Sequence, residues 1–272
     1  MKDLGELKYF LGIEFSRFEK GILMCQRKYA LELVSELVLA GGKPASTHLE
    51  FNQKLTFVKF DQIVKDSDSE DVQLKEKGNY QRLVGRLSYL IMTRPDIAFV
   101  IQVLSQYMHA PKTFHMKVAR RVVKYIKSTP GLGLFMPTGS CNKLIVYCDS
   151  DWGACVESRR SIIGYVVKFG DVVIFWKLKK QGTISRSSTE AEFRSMTTTV
   201  AEIMWLFGLF KELLGVDIAL HVPLHYDSKA AIQIAAYLFF PKRTKHIDID
   251  CHFVREKLVQ GLIQTQHVGT TE

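Results

Sequence analysis

Three acidic residues at the ends of predicted elements limit most strongly what this chain can fold into. The apolar run Leu144–Cys148 predicts a buried strand, and Asp149 follows it directly. Asp227 follows a second apolar strand, Val222–Tyr226, and Glu192 lies between them in the first turns of a predicted helix. An acid at the end of a central strand is costly to desolvate unless a cation compensates its charge. This order therefore predicts that the three carboxylates share one site.

A divalent metal ion is the cation that such a site requires. Carboxylates about 4 Å apart repel by roughly 4 kcal/mol at an effective dielectric constant of about 20. Mg²⁺ relieves this repulsion and favours carboxylate, water and phosphate ligands, and two ions about 4 Å apart can promote phosphodiester hydrolysis. We therefore expect Asp149, Glu192 and Asp227 to bind Mg²⁺, with Mn²⁺ as the alternative ion. Taken singly, each acid is more commonly a turn or surface residue, so the prediction depends on the ordered set.

Two of these acids have neighbours that compete for the same role. Glu190 and Glu192 are two helical residues apart, which turns them about 200° around the axis, so both cannot face one site. Ser187 and Glu190 fit a capping box at the start of the helix, which leaves Glu192 for the site. Asp149 directly follows its strand, whereas Asp151 is expected to be a turn acid or to support the site indirectly.

Long motifs in both halves of the chain resemble one family of proteins. The segments YCDSDWGACVESRRSIIGY, WKLKKQGTISRSSTEAEF, HYDSKAAI and RTKHIDIDCHFVREK occur in this order. They resemble the ribonuclease H domain of Ty1/copia-type retrotransposon Pol polyproteins. Upstream, DLGELKYFLGIEF and YQRLVGRLSYLIMTRPDIAFVIQVLSQYM resemble the end of the reverse transcriptase of the same polyproteins. The resemblance covers essentially the whole chain except the acidic stretch near Asp61–Glu76.

The resemblance implies an α/β fold: a ribonuclease H-like mixed sheet with flanking helices, preceded by a mostly helical reverse-transcriptase thumb or connection region. The implied activity is divalent-metal-dependent cleavage of RNA in RNA–DNA hybrids during reverse transcription. It assigns the catalytic metal ligands to Asp149, Glu192 and Asp227. It also gives His267 a role in proton transfer or product release, with an ordinary surface histidine as the alternative. The implied partners are an RNA–DNA hybrid and the upstream reverse transcriptase part of the same polyprotein.

Breaker-rich residues divide the chain into two regions. Residues 129–133 and 137–140 place the boundary between residues 1–136, the region similar to reverse transcriptase, and residues 140–272, the ribonuclease H-like domain. Within the first region, residues 55–79 are polar and mixed in charge, and predict a loop or a poorly ordered linker. The second region shows three strands and then alternating helices and strands, which is typical of an α/β domain.

Basic residues predict a polyanionic partner. The net charge is +9 and the isoelectric point about 9.2, although many basic proteins bind no nucleic acid. The predicted helix Phe114–Lys127 carries cations at helical spacing, and further cations follow the predicted strand Val172–Trp176. We expect both groups to bind phosphates, with a solvated surface as the alternative. The candidates are Lys117, Arg120, Arg121, Lys124 and Lys127 in the helix, and Lys177, Lys179, Lys180 and Arg186 after the strand.

Cysteine usage and hydropathy argue against several other classes of protein. The five cysteines form no Cys-x-x-Cys motif, which predicts reduced thiols and no structural zinc. The sequence contains no apolar run of about 18 residues, so no membrane partner is expected. Asp3 and Glu6 interrupt the amino terminus, so no signal peptide is expected. We expect an intracellular protein, cytoplasmic within a virus-like particle or nuclear.

Departures from the family pattern leave the activity open. The Tyr-x-Asp-Asp-type polymerase acids are absent, so the chain is not expected to polymerise DNA. The sequence stops at HVGTTE, before the fourth catalytic acid of relatives, and Tyr237–Pro241 replaces their Asn-Pro-x-x-His motif. We therefore expect a truncated domain with weakened or lost cleavage. The alternative is a non-catalytic nucleic-acid-binding remnant of a decayed retrotransposon. An integrase or transposase is disfavoured because its acids run Asp–Asp–Glu, whereas Glu192 lies between two aspartates.

Overall fold

The computed structural model describes residues 5–37, 42–50, 55–57, 60–61, 71–139, 142–215, 217–236 and 248–269. The chain divides into two compact units, unit 1 (Met1–Thr138) and unit 2 (Gly139–Glu272). The segment Tyr237–Pro241, which departs from the family motif, lies outside the described residues, as does Cys141. Of the described cysteines, Cys25, Cys148 and Cys155 are free thiols. None of the described helices combines the length and the apolar character needed to cross a bilayer.

Unit 1 contains a four-stranded antiparallel sheet whose last strand comes from the far end of the unit. Its strands, in order, are β1 (Tyr9–Phe10), β2 (Ile13–Phe18), β3 (Gly21–Cys25) and β4 (Gly133–Pro137). The apolar pattern of the sequence predicts one strand over Tyr9–Phe15, and the structure divides this segment between β1 and β2. Leu11 and Gly12 both have left-handed backbone angles, with φ of 46° and 72°, and form a two-residue turn between β1 and β2.

Strand β4 lies among residues whose glycines and prolines suggested only a domain boundary. Gly133 pairs with Cys25 and Pro137 with Gly21, so β4 completes the sheet along β3. A Cβ atom at Gly133 would collide with the backbone oxygen of Met24, which explains why glycine is required at this close approach. The breaker-rich composition therefore reflects tight strand packing as well as a boundary.

The helices of unit 1 bury a core of their own. Among the described residues, the helices with assigned bounds are α1 (Arg27–Glu36), α2 (Lys77–Leu90), α3 (Ala98–Ser105) and α4 (Thr113–Ser128), with a 3₁₀ turn at Pro95–Ile97 before α3. Apolar residues three and four apart in α4, such as Val118, Val122 and Ile126, are fully buried. The opposite, basic side of α4 remains at the surface, because the same 3.6-residue period separates the two faces.

Described parts of the segment 55–79, expected as a linker, contact these helices. The Lys112 ammonium forms ion pairs with Asp61 and Asp71, and the Tyr107 hydroxyl donates to the Leu55 carbonyl. Helix α2 begins at Lys77, inside the segment. Of the two predicted alternatives, residues 55–57 and 71–76 fit a loop. The loop is held in place because the buried Lys112 requires the two carboxylates that the segment supplies.

Unit 2 contains a five-stranded mixed sheet with flanking helices. Its strands are β5 (Leu144–Asp151), β6 (Ile162–Phe169), β7 (Val172–Lys180), β8 (Val222–Tyr226) and β9 (Ile263–His267), in the spatial order β7-β6-β5-β8-β9. Among the described residues its α-helices are α5 (Ser188–Leu209), α6 (Lys229–Ala236) and α7 (Asp248–Val259), and a short π-helix at Phe210–Leu214 follows α5. The first three strands pair antiparallel, and β5–β8 and β8–β9 pair parallel. The predicted α/β fold, a mixed sheet with flanking helices, is confirmed for unit 2.

The core of unit 2 lies between α5 and the central strands. Leu144 and Val146 of β5 are fully buried, as are Phe193, Met196 and Val200 on one side of α5. The sequence periods of two in β5 and about 3.6 in α5 produce these two matching apolar surfaces. This packing brings the first turns of α5 to the carboxyl end of β5.

Two strands are longer than their apolar runs predict. The sequence predicts strands that end at Cys148 and Trp176, whereas β5 continues to Asp151 and β7 continues to Lys180. The reason is β6, which pairs Ile162 both with Asp151 and with Lys180. Backbone hydrogen bonds to β6, which lies between β7 and β5, extend both strands beyond their apolar residues.

Candidate active site

The carboxylates of Asp149, Glu192 and Asp227 lie together at one edge of the sheet of unit 2. Each offers an oxygen within 4.8 Å of the others, and we call these three residues the acidic cluster. Strands β5 and β8 are parallel neighbours, so the acids at their carboxyl ends meet at one edge. Helix α5 brings Glu192 to the same edge by packing across β5. The convergence predicted from the sequence is confirmed.

Hydrogen bonds from α5 and β8 hold the cluster in place. The Ser195 hydroxyl donates to the Asp149 carbonyl at 2.9 Å, which ties α5 to β5. The buried Tyr226 hydroxyl lies 2.5 Å from both the Oε2 atom and the carbonyl oxygen of Glu192. Neither contact was predicted from the sequence. The signal for Tyr226 was its buried position in β8, because a buried tyrosine hydroxyl requires a partner.

The electrostatics of the cluster indicate uncompensated negative charge. Burial raises the pKa of Glu192 to about 7, with Asp227 and Asp149 adding to the rise and the Tyr226 hydroxyl opposing it. Partial desolvation also raises the pKa of Asp149, together with Asp227 and Asp151, although the Ser150 N–H bonded to its Oδ1 atom lowers it. A donor set of three carboxylates fits a divalent cation, which favours their ionised forms.

Glu190 has a separate, structural set of partners. Its backbone N–H donates to the Ser187 hydroxyl at 3.2 Å, as expected for the N-cap of α5. Its carboxylate accepts from the Arg186 N–H at 2.9 Å and pairs with Arg194 at 2.9 Å. In a capping box this carboxylate would accept from the N–H of the N-cap residue, Ser187. Here it accepts from the N–H of Arg186, one residue earlier in the chain. Glu190 is outside the acidic cluster, as the helical spacing predicted.

His267 is the last residue of β9 and lies next to the acidic cluster. Its Nε2 atom is 3.1 Å from the Asp227 carbonyl oxygen, and its side chain is exposed. Pairing of His267 with Tyr226 includes it in β9. Asp151 is exposed at the end of β5 and does not belong to the cluster.

The cations of α4 divide into exposed and engaged residues. Lys117 and Arg120 are exposed, and Lys124 is half-buried. Arg121 pairs with Glu50 at 2.7 Å, and the Lys127 ammonium donates to the Gly42 carbonyl at 2.8 Å.

The cations predicted for unit 2 are similarly divided. Lys177 in β7 pairs with Glu202 of α5 at 2.7 Å. Lys179 and Arg186 are exposed, while Lys180 is half-buried and helps to lower the pKa of the Cys155 thiol, against an opposing desolvation effect.

Comparison with known proteins gives a consistent set of relatives. No family model matches the chain. The retrovirus-related Pol polyprotein from transposon RE2 of Arabidopsis thaliana is 36% identical over 271 residues, which are 99% of this chain and 18% of that protein. The corresponding polyprotein from transposon TNT 1-94 of Nicotiana tabacum is 30% identical over 284 residues, 100% of this chain and 20% of that protein.

A solved structure of LC11-RNase H1, isolated from compost, is 13% identical with a TM-score of 0.36, and the match covers 48% of this chain and 86% of that one. The chain thus spans about a fifth of the length of the two polyproteins, and nearly all of it aligns with them. The chain belongs to the family of retrovirus-related Pol polyproteins from Ty1/copia-type transposons.

Proposed function

We propose that unit 2 is a divalent-metal-dependent ribonuclease H that cleaves RNA in RNA–DNA hybrids during reverse transcription. The observation that carries the proposal is the acidic cluster, with carboxylate oxygens of Asp149, Glu192 and Asp227 within 4.8 Å of one another. Such a cluster is costly to assemble without a cation. The resemblance of unit 2 to the ribonuclease H domain of these polyproteins supports the same activity.

Mg²⁺ is the proposed cofactor, held by Asp149, Glu192 and Asp227. Carboxylate oxygens are hard ligands that suit Mg²⁺, and the raised pKa values of Asp149 and Glu192 are consistent with an added positive charge as the missing compensation. When bound, a divalent ion supplies charge for the scissile phosphate and lowers the pKa of an attacking water. Mn²⁺ is the alternative ion for the same oxygens.

The chain's own residues position these ligands and supply a proton-transfer group. The Tyr226 hydroxyl orients the Glu192 carboxylate, and Ser195 fixes the backbone at Asp149. The Asp227 carbonyl can only accept a hydrogen bond, so the Nε2 atom of His267 carries the proton in that contact. The Nδ1 atom is then the ring nitrogen that remains for exchange of a proton, and we assign His267 to proton transfer or product release.

Exposed cations are the proposed phosphate contacts for the hybrid. Lys117 and Arg120 of α4, with Lys179 and Arg186 of unit 2, are exposed. The remaining candidates are the half-buried or ion-paired residues Lys124, Lys127, Lys177 and Lys180. Lysine and arginine side chains bind phosphates with release of counterions, so binding should weaken as salt rises. The upstream reverse transcriptase part of the polyprotein is the proposed protein partner.

Cleavage of a labelled RNA–DNA hybrid by the purified chain tests this function. We expect products that depend on Mg²⁺, disappear with a chelator and arise from the RNA strand. Asp149→Asn should abolish them, whereas Asp151→Asn, a matched change two residues along β5, should retain most activity. Cleavage of an all-DNA duplex at a similar rate would contradict the assignment. Binding of the hybrid without cleavage in Mg²⁺ or Mn²⁺ would instead support the non-catalytic binding remnant.

A further inference from the structure

The loop between β5 and β6 forms one wall of a pocket close to the acidic cluster. Trp152 follows β5 directly, and the loop is closed by backbone bonds from Cys155 N–H to the Arg160 carbonyl and from Arg159 N–H to the Cys155 carbonyl. Arg159 takes a left-handed backbone conformation with φ of 53°. These features give the loop a defined shape and bring Arg159 back beside Trp152.

The pocket itself has a volume of about 240 Å³ and two walls. Trp152, Gly153 and Arg159 come from the loop, and Ile184 and Ser185 come from the segment before α5. The Trp152 Nε1–H donates to the Ser185 carbonyl at 3.1 Å and joins the two walls. Trp152 and Ile184 nevertheless remain 52% and 57% exposed, so the pocket presents apolar surface to solvent.

The second wall is anchored to the rest of unit 2. The buried Ser185 hydroxyl contacts the Gln181 Oε1 atom at 2.7 Å, and the Gln181 amide donates to the Ala191 carbonyl of α5 at 2.8 Å. The wall is therefore linked to the end of β7 and to the first turns of the helix that carries Glu192. A pocket with an anchored wall can bind a ligand without a large ordering cost.

An exposed tryptophan by itself needs no explanation, and Trp205 on α5 is equally exposed at 55%. The surroundings of Trp152 are different because they are basic. Arg159, Arg160 and Arg186 are exposed, and within the described part of the chain no carboxylate side chain forms an ion pair with them. Apolar surface beside unpaired cations is complementary to a sugar–phosphate chain, whose pentoses are partly apolar and whose phosphates are anionic.

The distance along β5 places this pocket within reach of the same nucleic acid. Trp152 is three residues beyond Asp149, or about 10 Å in an extended strand at about 3.3 Å per residue. Successive nucleotides of one strand advance about 3.4 Å along a duplex axis, so this span corresponds to about three nucleotides.

We propose that the Trp152 pocket is a subsite for one sugar–phosphate unit of the nucleic-acid strand that passes through the acidic cluster. The pentose packs on Trp152 and Ile184, and Arg159 binds the phosphate. The inference rests on the proposed ribonuclease H function and identifies a substrate contact for it. Binding at this subsite fixes the position of the nucleic-acid strand at a point about three nucleotides from the phosphate that lies at the acidic cluster.

Affinity for a labelled RNA–DNA hybrid, measured with chelator so that no cleavage occurs, tests the subsite. Trp152→Ala should raise Kd about fivefold to tenfold, and Trp152→Phe should raise it less because an aromatic face remains. Trp205→Ala is the matched control, equally exposed on α5, and should change Kd by less than about twofold. Arg159→Gln should lower the slope of log Kd against log salt by roughly 0.9, whereas Lys211→Gln, another exposed cation of unit 2, should not.

A second readout separates the subsite from the proposed chemistry. With Mg²⁺, Trp152→Ala should raise KM for cleavage and leave kcat and the Mg²⁺-dependent thermal stabilisation unchanged, because the acidic cluster is intact. Equal Kd values for Trp152→Ala, Trp205→Ala and the wild-type chain would overturn the subsite even if cleavage is robust. A chain that binds the hybrid but never cleaves it would contradict the proposed function, while a selective rise in Kd for Trp152→Ala would still support the subsite.

Discussion

At the residue scale, the contact between Tyr226 and Glu192 has the greatest consequence for the acidic cluster. Tyr226 is buried at the end of β8, directly before Asp227, and its hydroxyl reaches the Glu192 carboxylate. Burial raises the pKa of this tyrosine, so it remains a hydrogen-bond donor across the physiological range. Tyr226 therefore connects Glu192 of α5 with Asp227, the residue that follows it in the chain.

Tyr226→Phe tests this positioning role. The change keeps the ring in the core and removes the hydroxyl, so we expect Mg²⁺ affinity to fall about 10- to 100-fold with little change in folding. Titration of Mg²⁺ against thermal stability and against cleavage rate measures the effect. Tyr165→Phe is the matched control, because Tyr165 is a buried tyrosine of β6 whose hydroxyl is near Glu202. Similar Mg²⁺ titrations for both variants would show that Tyr226 has only a packing role.

Glu192→Gln and Glu190→Gln test the assignment of the two neighbouring glutamates. Glu192→Gln should reduce cleavage by at least about 100-fold, because a neutral amide is a poor ligand for the metal. Glu190→Gln should retain most cleavage, since an amide oxygen can still accept from the Arg186 N–H. Rates with a labelled hybrid at fixed Mg²⁺ measure both effects. The reverse ranking of the two variants would contradict the acidic cluster as described.

At the scale of single elements, α4 combines a buried polar end with a basic outer face. His115 is fully buried in the first turn, and its Nδ1 atom accepts from the Lys112 N–H at 3.1 Å. Desolvation, together with the Lys112 charge, lowers the pKa of His115 to about 4, against opposing effects of Asp71, Asp61 and the Thr56 backbone. The start of the helix therefore contains a histidine that stays neutral while folded.

This histidine predicts acid sensitivity of unit 1. The unfolded chain binds a proton at His115 near pH 6.5, whereas the folded chain does so only near pH 4. The contribution of His115 to the free energy of unfolding of unit 1 is therefore fully present above about pH 6.5. It is lost as pH falls towards 4, by up to about 3 kcal/mol. Urea unfolding at pH 7, 6 and 5 gives the free energy of unfolding. This free energy should depend less steeply on pH for His115→Gln than for the wild-type chain. His252→Gln, on an exposed side chain of α7, is the control and should leave the slope unchanged.

The outer face of α4 predicts salt-dependent binding of nucleic acid. Lys117 and Arg120 are exposed, so their joint replacement by glutamine should lower the slope of log Kd against log salt by roughly 0.9 for each phosphate that is no longer neutralised. Arg121→Gln on the same helix is the control, because Arg121 is paired with Glu50. Hybrid affinity from low to moderate salt gives the slopes. An unchanged slope in the double variant would indicate a solvated surface.

At the scale of the whole molecule, the described residues form one buried core in each unit. The core of unit 1 is formed by residues from Ala30 to Ile126, and that of unit 2 by residues from Leu144 to Ile263. A unit with its own buried core and complete sheet has the interactions that independent folding requires. The acidic cluster, its positioning residues and the Trp152 pocket all belong to unit 2.

A fragment of residues 139–272 should therefore fold and bind metal without unit 1. We expect cooperative thermal unfolding and, with Mg²⁺ at tenfold excess over its Kd, a stabilisation of about 1.4 kcal/mol. Asp149→Asn in the same fragment should remove most of this shift. Calorimetry of the fragment beside the full chain provides the measurement. A fragment without a cooperative transition would show that unit 2 depends on unit 1 for its fold.

The sequence by itself determined the α/β pattern of unit 2 and the order of its acids. Strand and helix periods, the Ser187 cap and the placement of Asp149, Glu192 and Asp227 are local features, so they can be recognised without the fold. The helical spacing of Glu190 and Glu192 likewise separated a capping acid from a cluster acid.

Only the tertiary structure decided the contacts between distant parts of the chain. Pairing with β6 extends β5 and β7 into polar residues. Pairing with β3 makes a segment rich in glycine and proline form the strand β4. The bond from Tyr226 to Glu192 and the ion pairs that engage Arg121 and Lys177 join residues far apart in sequence. Hydrogen bonds and ion pairs depend on which distant groups become neighbours, and local sequence patterns do not contain that information.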